Sequence, residues 1–440
     1  MTATDHRAAP PRDGSDDQLV RRLRGEVARR MAQEASGDGA GAMSAARRSQ
    51  LARQIIGEVM EAEATAALAA ARRPLDEAAE QQIADRIYAD LWGLGGFQPY
   101  LDDADVESIN ANGCDQVFVQ YSGGQRARVA PVAGNDEELT DLVRAVAARG
   151  GIEERRFDRS SPRVSVPLPG GGRLFAVMSV TGRPCVAIRR DRLARASLRD
   201  LIRNGTLDDP LAAFLTALVR ARKNLLISGG TAVGKTTMLR ALASAIPRDE
   251  RLITIEDSLE LCLDWDHDAH PDVVAMQSRE KNTEGEGEIT LAELVRWALR
   301  MTPDRVLVGE VRGSEVIPML NAMSQGNDGS MTTIHASSSR GAMLKLAAYA
   351  AQSPEHLTLE DTGLLIAGAI HFVIQLAWDN AGRRCVSSIR EVIDADGRQV
   401  VSNEVYQPGP DRRALPSVPV RADTLDELIE AGYQPPRQAA

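Results

Sequence analysis

A glycine-rich segment directly after a short apolar run constrains this chain more than any other feature of its sequence. Residues 229–237 read Gly-Gly-Thr-Ala-Val-Gly-Lys-Thr-Thr and match the phosphate-loop pattern G-x-x-x-x-G-K-[ST]. The apolar run at 224–228 predicts a strand before the loop, and residues 238–245 predict a helix after it. A strand, a glycine-rich turn and a helix in this order favour an α/β fold whose helix N-terminus faces a phosphate.

The residues of this loop have separate roles in holding a nucleotide. Lys235 is expected to reach the β- and γ-phosphates, and the Thr236 hydroxyl is expected to bind Mg²⁺. A chance glycine-rich turn is the alternative, and the flanking strand and helix argue against it. We therefore predict a site for ATP and Mg²⁺ at Gly229, Gly230, Thr231, Ala232, Val233, Gly234, Lys235, Thr236 and Thr237.

The rest of the second half of the chain repeats the pattern of short apolar runs separated by helical segments. Near-continuous apolar strands between helices predict a mostly parallel sheet that is covered on both faces. The carboxyl ends of such strands meet at one edge of the sheet, where ligands bind. The runs lie at 225–228, 252–255, 273–276, 306–308 and 331–334.

Glu310 follows one of these runs and is the first candidate for hydrolysis. The apolar run that begins at Arg305 ends at this carboxylate, as in a Walker B strand. A carboxylate at that position can orient or deprotonate the attacking water. The alternative is a Glu that only caps the turn before Gly313, and the presence of a phosphate loop weakens that alternative.

Two further strand ends carry polar candidates. Glu256 and Asp257 follow the run at 252–255 and can bind Mg²⁺ or polarise the nucleophile, although acids at strand ends are often solvated or paired with arginine. His335 follows the run at 331–334. A histidine there can sense a γ-phosphate or can simply be a hydrogen-bonded structural residue, and the residues alone do not decide between the two.

Composition excludes several classes of protein. The 440 residues include 52 Lys and Arg against 62 Asp and Glu, for a net charge of −10, which argues against binding nucleic acid through bulk charge. No stretch approaches the about 20 apolar residues of a membrane span, and the N-terminus does not read as a secretory signal. The four cysteines lack the spacing of a zinc site. We expect a cytoplasmic protein without a transmembrane segment.

Changes in pattern along the chain divide it into regions. The first is rich in small and polar residues, which bury too little surface to offset ordering entropy, apart from a short helix around 19–31. Apolar residues then recur at helical spacing from Leu51. We predict a disordered extension at 1–46, a helical segment at 47–74, an α+β domain at 75–192, a P-loop domain at 193–408 and a loose tail at 409–440 with a helix at 424–431.

Four blocks in this order resemble the ATPases of the type II/type IV secretion superfamily, and within it the CpaF branch, which serves Tad (Flp) pili. Segments 160–173, 278–282 and 284–288 also resemble that branch. The four blocks are the Walker A loop at 229–237, an acidic Asp box at 253–260, Walker B at 306–313 and a His box at 326–336.

The resemblance implies a fold and a set of roles. The fold is a RecA-like P-loop ATPase domain after a smaller α+β domain and a helical or disordered extension, and the protein is a homo-hexameric ring with ATP between the two domains. Glu256 and Glu310 become the catalytic acids, and His335 becomes the His-box residue. Arginines complete such sites as fingers, and the candidates here are Arg173, Arg189, Arg190, Arg279, Arg300 and Arg312.

The sequence departs from the family pattern at three positions. Ala232 stands where the family commonly has Gly, Val233 replaces a small residue, and Asn327 replaces a further His. If position 232 requires a positive φ, the Cβ of Ala232 adds strain and lowers nucleotide affinity or turnover without abolishing the site.

The predicted function is Mg-dependent ATP hydrolysis by a hexameric motor that powers pilus assembly or protein secretion across the inner membrane. The motor would act on an inner-membrane platform protein and would itself be peripheral to that membrane. A conjugation-type ATPase for DNA transfer is one alternative, and the net charge of −10 counts against direct DNA handling. A nucleotide-binding regulator without turnover is the other, supported by Ala232 and Val233 alone.

Overall fold

The structure is a computed structural model that describes residues 14–35, 45–122, 124–149, 156–168, 171–190, 195–281 and 285–435. The chain forms two compact units, Met1–Arg192 and Leu193–Ala440. The first unit contains α1 (Gly14–Ala35), α2 (Ala45–Ala69), α3 (Glu77–Trp92), α4 (Gln98–Asp102), β1 (Val106–Asn112), β2 (Val117–Tyr121), β3 (Arg126–Val129), α5 (Asp136–Arg149), β4 (Arg163–Pro167), β5 (Gly172–Val177) and β6 (Cys185–Arg190).

The helices α1, α2 and α3 share a small apolar core. Val20, Val27 and Ile87 are buried in it, with exposed fractions of 2% or less. The helix α1 includes the short helix that the sequence indicates around 19–31 and is longer than it. The predicted disorder of residues 1–46 is wrong for the rest of 14–35 and for 45–46, because the apolar face of α1 packs on two other helices and this burial offsets the cost of ordering the segment. The remainder of that prediction, at 1–13 and 36–44, lies outside the described residues.

The six strands of the first unit form one antiparallel sheet in the order β3-β2-β1-β6-β5-β4. Alternate residues of the strands, such as Val117 and Val119, are buried against α5, and Leu139 and Val143 cover them from that helix. The period of two that the sequence shows in these segments is the period of a sheet with one buried face. The predicted α+β N-terminal domain is confirmed.

The second unit holds the remaining elements and begins after residue 192. Its strands are β7 (Leu225–Gly229), β8 (Leu252–Glu256), β9 (Val273–Gln277), β10 (Arg305–Val311), β11 (Met331–His335), β12 (Phe372–Trp378), β13 (Arg384–Asp396), β14 (Gln399–Pro408) and β15 (Ala414–Pro416). Its helices are α6 (Leu198–Arg203), α7 (Asp209–Arg220), α8 (Lys235–Ala243), α9 (Leu291–Ala298), α10 (Val316–Ser324), α11 (Ser339–Ala351), α12 (Leu359–Ala369) and α13 (Ala422–Glu430).

All nine strands form one mixed sheet in the order β15-β14-β13-β12-β7-β11-β10-β8-β9. The strands from β12 to β9 in this order are parallel, and β13, β14 and β15 extend the sheet in antiparallel fashion. Every residue of β7 and β8 is buried, because α6, α7 and α8 cover one face and α9 to α12 cover the other. The predicted α/β sheet is confirmed.

The C-terminal segment is packed rather than loose. Leu428 of α13 is fully buried in the core beside α7, and the Thr424 hydroxyl donates to Glu391 Oε1 at 2.6 Å. The ring of Tyr433 lies edge-on to Phe214, with 5.6 Å between centroids. The helix α13 lies where the sequence indicates one, at 424–431. The predicted looseness of the rest of 409–440 is wrong as far as residue 435, because α13 has one apolar face that the second unit buries.

Within the described ranges, no helix combines the length and the apolar character that a membrane crossing requires.

Candidate active site at the carboxyl ends of the parallel strands

The phosphate loop leaves the sheet at the end of β7 and enters α8 at Lys235. Gly229 has no room for a side chain, because a Cβ there would lie 2.6 Å from Val233 Cγ2 and 2.9 Å from the Leu376 carbonyl oxygen. Gly234 has φ +96°, which favours glycine, and it caps the N-terminus of α8. The spacing of the glycines is thus what lets this loop curl directly onto the helix.

Ala232 adopts φ +62°, so the position does require the left-handed conformation. For a residue with a Cβ this conformation costs about 1 kcal/mol. Arg384 supports the strained peptide from the neighbouring strand β13, since its Nε donates to the Ala232 carbonyl at 3.1 Å. The same guanidinium lies over the ring of Trp378, 5.1 Å from the centroid. No local signal in the sequence marks Arg384, because it is 152 residues from its partner.

Lys235, His335 and Glu310 lie in a line across the ends of three neighbouring strands. The buried Lys235 Nζ donates to the Gly230 carbonyl at 3.0 Å and lies 3.1 Å from His335 Nδ1. On the other side of the ring, His335 Nε2 lies 2.9 Å from Glu310 Oε1. The order β7-β11-β10 places the three side chains in this sequence.

Glu310 is held through one oxygen only. Its Oε2 accepts from Arg312 Nε at 2.9 Å and from Arg312 Nη2 at 2.6 Å. Its Oε1 is buried and has no hydrogen-bond partner among the described residues, because the contact with His335 lacks the alignment of a hydrogen bond. A buried carboxylate oxygen without a partner is costly unless a ligand completes it.

The turn after Glu310 has its own cap. Glu315 Oε1 accepts from the backbone N–H of Gly313 at 2.9 Å and from the N–H of Arg312. The alternative role of Glu310, capping the turn before Gly313, is therefore wrong, because Glu315 already fills it.

The surroundings of His335 favour the neutral form of its ring. Burial lowers the pKa of His335, Glu310 opposes this shift, and Lys235 adds to it. A neutral imidazole has one acceptor and one donor nitrogen. Nδ1 can therefore accept from Lys235, while the Nε2 side of the ring faces Glu310.

Glu256 ends strand β8, which lies beside β10, and it is nearly inaccessible, with an exposed fraction of 3%. Its Oε1 accepts from the backbone N–H groups of Glu260 and Leu261 at 3.0 and 2.9 Å, and its Oε2 has no partner among the described residues. Burial raises the pKa of Glu256 to about 7, against the opposing effect of those two hydrogen bonds. Gly309 makes the packing feasible, since a Cβ there would lie 3.0 Å from Glu256 Cγ.

Asp257 lies on the exposed side of the same strand end. Its Oδ2 is 3.3 Å from Arg312 Nη1, and its Oδ1 accepts from the Ser278 hydroxyl at 3.0 Å. Arg312 therefore connects Asp257 to Glu310. The pairing with arginine that the sequence left open as an alternative is present at Asp257.

The other five arginine candidates lie at several positions in the two units. Arg279 donates to the Gly287 carbonyl at 2.6 Å, and the exposed Arg300 follows α9 and precedes the amino end of β10, at the opposite edge of the sheet. Arg173 and Arg189 pair across β5 and β6, and Arg190 donates to the Asp103 carbonyl.

The donor set fits Mg²⁺ that is shared with a nucleotide. Among the described residues, no group of three or more His, Cys, Asp or Glu side chains could hold a metal alone. Mg²⁺ normally combines one or two protein oxygens with waters and substrate phosphates. Thr236 at the start of α8 and the unpartnered oxygens of Glu310 and Glu256 are donors of that type.

A phosphate loop on a parallel sheet, with its lysine in contact with a histidine that in turn contacts a strand-end carboxylate, defines an α/β P-loop ATPase. Comparison with known proteins agrees. The family described as "Type II/IV secretion system protein" matches residues 99–430. The chain therefore belongs to the type II/IV secretion system protein family, and the predicted superfamily and ATPase class are confirmed.

The chain is similar to several individual proteins. The chain is 34% identical over 321 residues to a putative conjugal transfer protein of Mycobacterium tuberculosis, covering 71% of this chain and 88% of the relative. It is 32% identical over 307 residues to VirB11 of Agrobacterium fabrum, covering 62% and 86%. The crystal structure of the VirB11 ATPase from the Brucella suis type IV secretion system, in complex with sulphate, is 28% identical, covers 67% and 91%, and has a TM-score of 0.36.

Proposed function

We propose that this chain is the Mg-dependent ATPase motor of a type IV secretion machine of the conjugal-transfer kind, and that it works as a homo-hexamer. One observation carries the proposal: Lys235, His335 and Glu310 touch in a line at the edge where the phosphate loop leaves the sheet. The relatives named conjugal transfer protein and VirB11 support this assignment of the machine.

Nucleotide binding would first rearrange Lys235. Its ammonium is bonded to the loop's own Gly230 carbonyl and contacts His335, which are weaker partners than phosphate oxygens. The β- and γ-phosphates would take over these donors together with the N–H groups of the loop. His335 would then lose its contact with Lys235 and report the presence of the γ-phosphate to the strand β11 that carries it.

Mg²⁺ would be held by Thr236 and phosphate oxygens, with Glu256 and Asp257 as nearby acids. When bound, it neutralises charge that develops on the transferred phosphoryl group. Arg312 would orient the Glu310 carboxylate. It bonds Oε2, which leaves Oε1 as the oxygen available to a water. Glu310 would orient that water and accept its proton.

The hexamer and the membrane partner are the larger-scale part of the proposal. Arg173, Arg189 and Arg190 of the first unit, and Arg279 and Arg300 of the second, are proposed as fingers that complete a site in the ring. Closure around the nucleotide and reopening after hydrolysis would move an inner-membrane platform protein. The chain would be cytoplasmic and peripheral to that membrane through this partner.

A CpaF-type motor for Tad pilus assembly or protein secretion is the second candidate. Segments 160–173, 278–282 and 284–288 favour it, with residues 169–170 and 282–284 outside the described ranges. The net charge of −10 favours a motor that drives a machine over one that grips DNA itself. A regulator without turnover has the support of Val233 and the strained Ala232 alone.

Hydrolysis by the purified full chain tests the proposal. We expect Mg-dependent ATP turnover by a hexamer, and a loss of about 10³-fold in Lys235→Ala, since a cation that stabilises transferring phosphate contributes on that scale. Arg248→Ala, which removes an exposed positive charge from the loop after α8, is the matched control and should retain turnover. A wild-type hexamer no faster than Lys235→Ala would exclude the motor.

The membrane protein that the motor binds distinguishes the conjugal-transfer candidate from the Tad pilus candidate. A Glu310→Gln hexamer loaded with ATP should remain bound to the membrane platform, and mass spectrometry of the captured membrane proteins would identify the machine. Subunits of a conjugal transfer channel would support the first candidate, and pilin-assembly proteins would support the second. DNA binding that falls steeply with salt would instead indicate direct handling of DNA.

A further inference from the structure

A second polar cavity lies in the second unit, on the side of β12 that faces α11. Its volume is about 270 Å³. Its walls consist of hydroxyl groups and guanidinium groups with a single carboxylate, which is an unusual lining in an acidic protein. The residues that matter for the argument are Ser338, Ser339, Arg340, Arg390, Glu404 and Arg412.

The floor of this cavity is a closed hydrogen-bond network. Arg390 donates through Nε to the Ser339 hydroxyl at 2.9 Å and through Nη2 to Glu404 Oε2 at 2.7 Å. The Ser388 hydroxyl donates to Glu404 Oε1 at 2.6 Å. The one carboxylate of the lining is therefore already satisfied, and the network fixes Arg390, which is only 17% exposed, at the base.

The walls carry positive charge that has no such partner. Neither Arg340 nor Arg412 makes a side-chain hydrogen bond or ion pair with any residue that the structure describes. Arg340 lies in the first turn of α11, where Ser338 caps the N–H of Gly341 at 3.0 Å. The N–H groups of the two residues before Gly341 have no acceptor within the helix, as at every helix start. Three guanidinium groups and these donors therefore converge on one space.

Gln375 connects this cavity to the phosphate site. It lines the cavity, and its Oε1 accepts from the Ser228 hydroxyl at 2.5 Å, directly before Gly229 of the phosphate loop. Its Nε2 donates to the Ala336 carbonyl at 3.4 Å, directly after His335. One side chain thus links the wall of the cavity to both strands that carry the nucleotide-sensing residues.

We propose that this cavity is a regulatory anion site that binds a small phosphorylated metabolite and alters ATP hydrolysis through Gln375. The chemistry that would recognise the ligand is a phosphate group carrying two negative charges, held between Arg340 and Arg412 above the fixed Arg390. The volume accommodates a diphosphate group. The site is separate from the P-loop, because it lies on the face covered by α11 whereas α8 lies on the other face.

Calorimetric titration with inorganic pyrophosphate tests the site. The full-length Lys235→Ala protein removes the phosphate-loop lysine and should still bind pyrophosphate. Adding Arg340→Ala and Arg412→Ala should weaken that binding at least tenfold. The matched control adds Arg248→Ala and Arg398→Ala, which remove the same charge from exposed positions elsewhere and should leave binding within twofold.

Three results would overturn the proposal. Lys235→Ala protein without pyrophosphate binding would show that the cavity takes no phosphate. Equal weakening by the cavity pair and the control pair would show a nonspecific charge effect. If Arg340→Ala with Arg412→Ala dissociates the hexamer while pyrophosphate binding is unchanged, the cavity instead receives acidic side chains of a second copy.

The coupling to hydrolysis has its own measurement, in protein with Lys235 intact. Pyrophosphate also competes with ATP at the phosphate loop, so the relevant quantity is the change in maximal rate at saturating ATP. We expect pyrophosphate to change that rate at least twofold in the wild type and to leave it unchanged in Arg340→Ala with Arg412→Ala. An equal change in both proteins would contradict regulation through this cavity.

Discussion

The charged residues at the two ends of strand β10 differ in how completely other groups of the chain satisfy them with hydrogen bonds. Arg305 at the amino end is fully buried and binds Glu250 through two hydrogen bonds of 2.6 and 2.7 Å and the Val219 carbonyl at 2.8 Å. Glu310, five residues further along, keeps one buried oxygen without a partner among the described residues. The amino end is complete within the chain, whereas the carboxyl end requires a ligand.

Strand β7 repeats this difference. Before its amino end, the Asn224 side chain donates to the carbonyls of Met323 and Ala369 and accepts from the N–H groups of Gly329 and Ser330. After its carboxyl end, the loop binds Lys235 through its own Gly230 carbonyl. In a low-dielectric interior a polar group without a hydrogen-bond partner destabilises the fold. Such a group is retained where a ligand supplies the missing hydrogen bond. In β10, the charge that is satisfied within the chain therefore lies at the amino end, and the carboxylate oxygen without a partner among the described residues lies at the end beside the phosphate loop.

The largest expected effect is at the structural end. Arg305→Met should lower the free energy of unfolding by about 4 kcal/mol, because it removes a fully buried ion pair and leaves the largely covered Glu250 with Arg222 as its remaining partner. Urea denaturation measures this loss, and Arg248→Ala on the exposed loop is the control. A loss below about 1 kcal/mol would show that the pair is no more valuable than a surface pair and would remove the contrast between the two ends.

Glu310→Gln should lower the rate of ATP hydrolysis and leave the stability nearly unchanged. We expect kcat to fall about 10²-fold, since general base catalysis contributes at least that much, while the free energy of unfolding changes by no more than about 1 kcal/mol, because the affected ion pair with Arg312 is partly exposed. Steady-state kinetics and urea denaturation on one preparation separate the two. If stability fell with the rate unchanged, Glu310 would be a structural residue.

Glu256→Gln should have a smaller effect on the rate. Its Oε1 already holds two backbone N–H groups, and burial raises the pKa of Glu256 to about 7, so a neutral amide resembles the form that the fold favours. We expect a fall in kcat of about 10-fold, which is less than the about 10²-fold that general acid–base catalysis supplies. A loss as large as that of Glu310→Gln would place Glu256 in direct contact with the reacting groups.

Ala232→Gly is the smallest change and tests the strained loop. Removing the Cβ at φ +62° should relieve about 1 kcal/mol, which would appear as up to about fivefold tighter ATP binding if the loop keeps this conformation when it binds. Ala241→Gly inside α8 is the control, because it lacks the strain and should destabilise. Unchanged or weaker ATP binding in Ala232→Gly would show that the bond from Arg384 already offsets the strain.

Parts of the fold could be read from the sequence because their signals are local. The phosphate loop, the apolar strands and the strand-end positions of Glu310 and His335 follow from spacing along a few residues. The packing of α1 and of α13 could not be read from the sequence, because the residues that bury their apolar faces are distant along the chain. The same reason explains Arg384, whose role depends on a carbonyl in another part of the chain.

The sequence by itself determined that this chain has a P-loop α/β domain, because a strand, a glycine turn and a helix with Lys235 have few other physical solutions. It also determined which strand ends carry acids. Only the tertiary structure decided that Arg312 among 48 arginines holds Glu310, that Glu315 caps the adjoining turn, and that a cationic cavity contacts the same strands through Gln375. A sequence gives the order of charged residues along the chain, whereas ion pairing and burial depend on which side chains the fold brings within a few ångströms of each other.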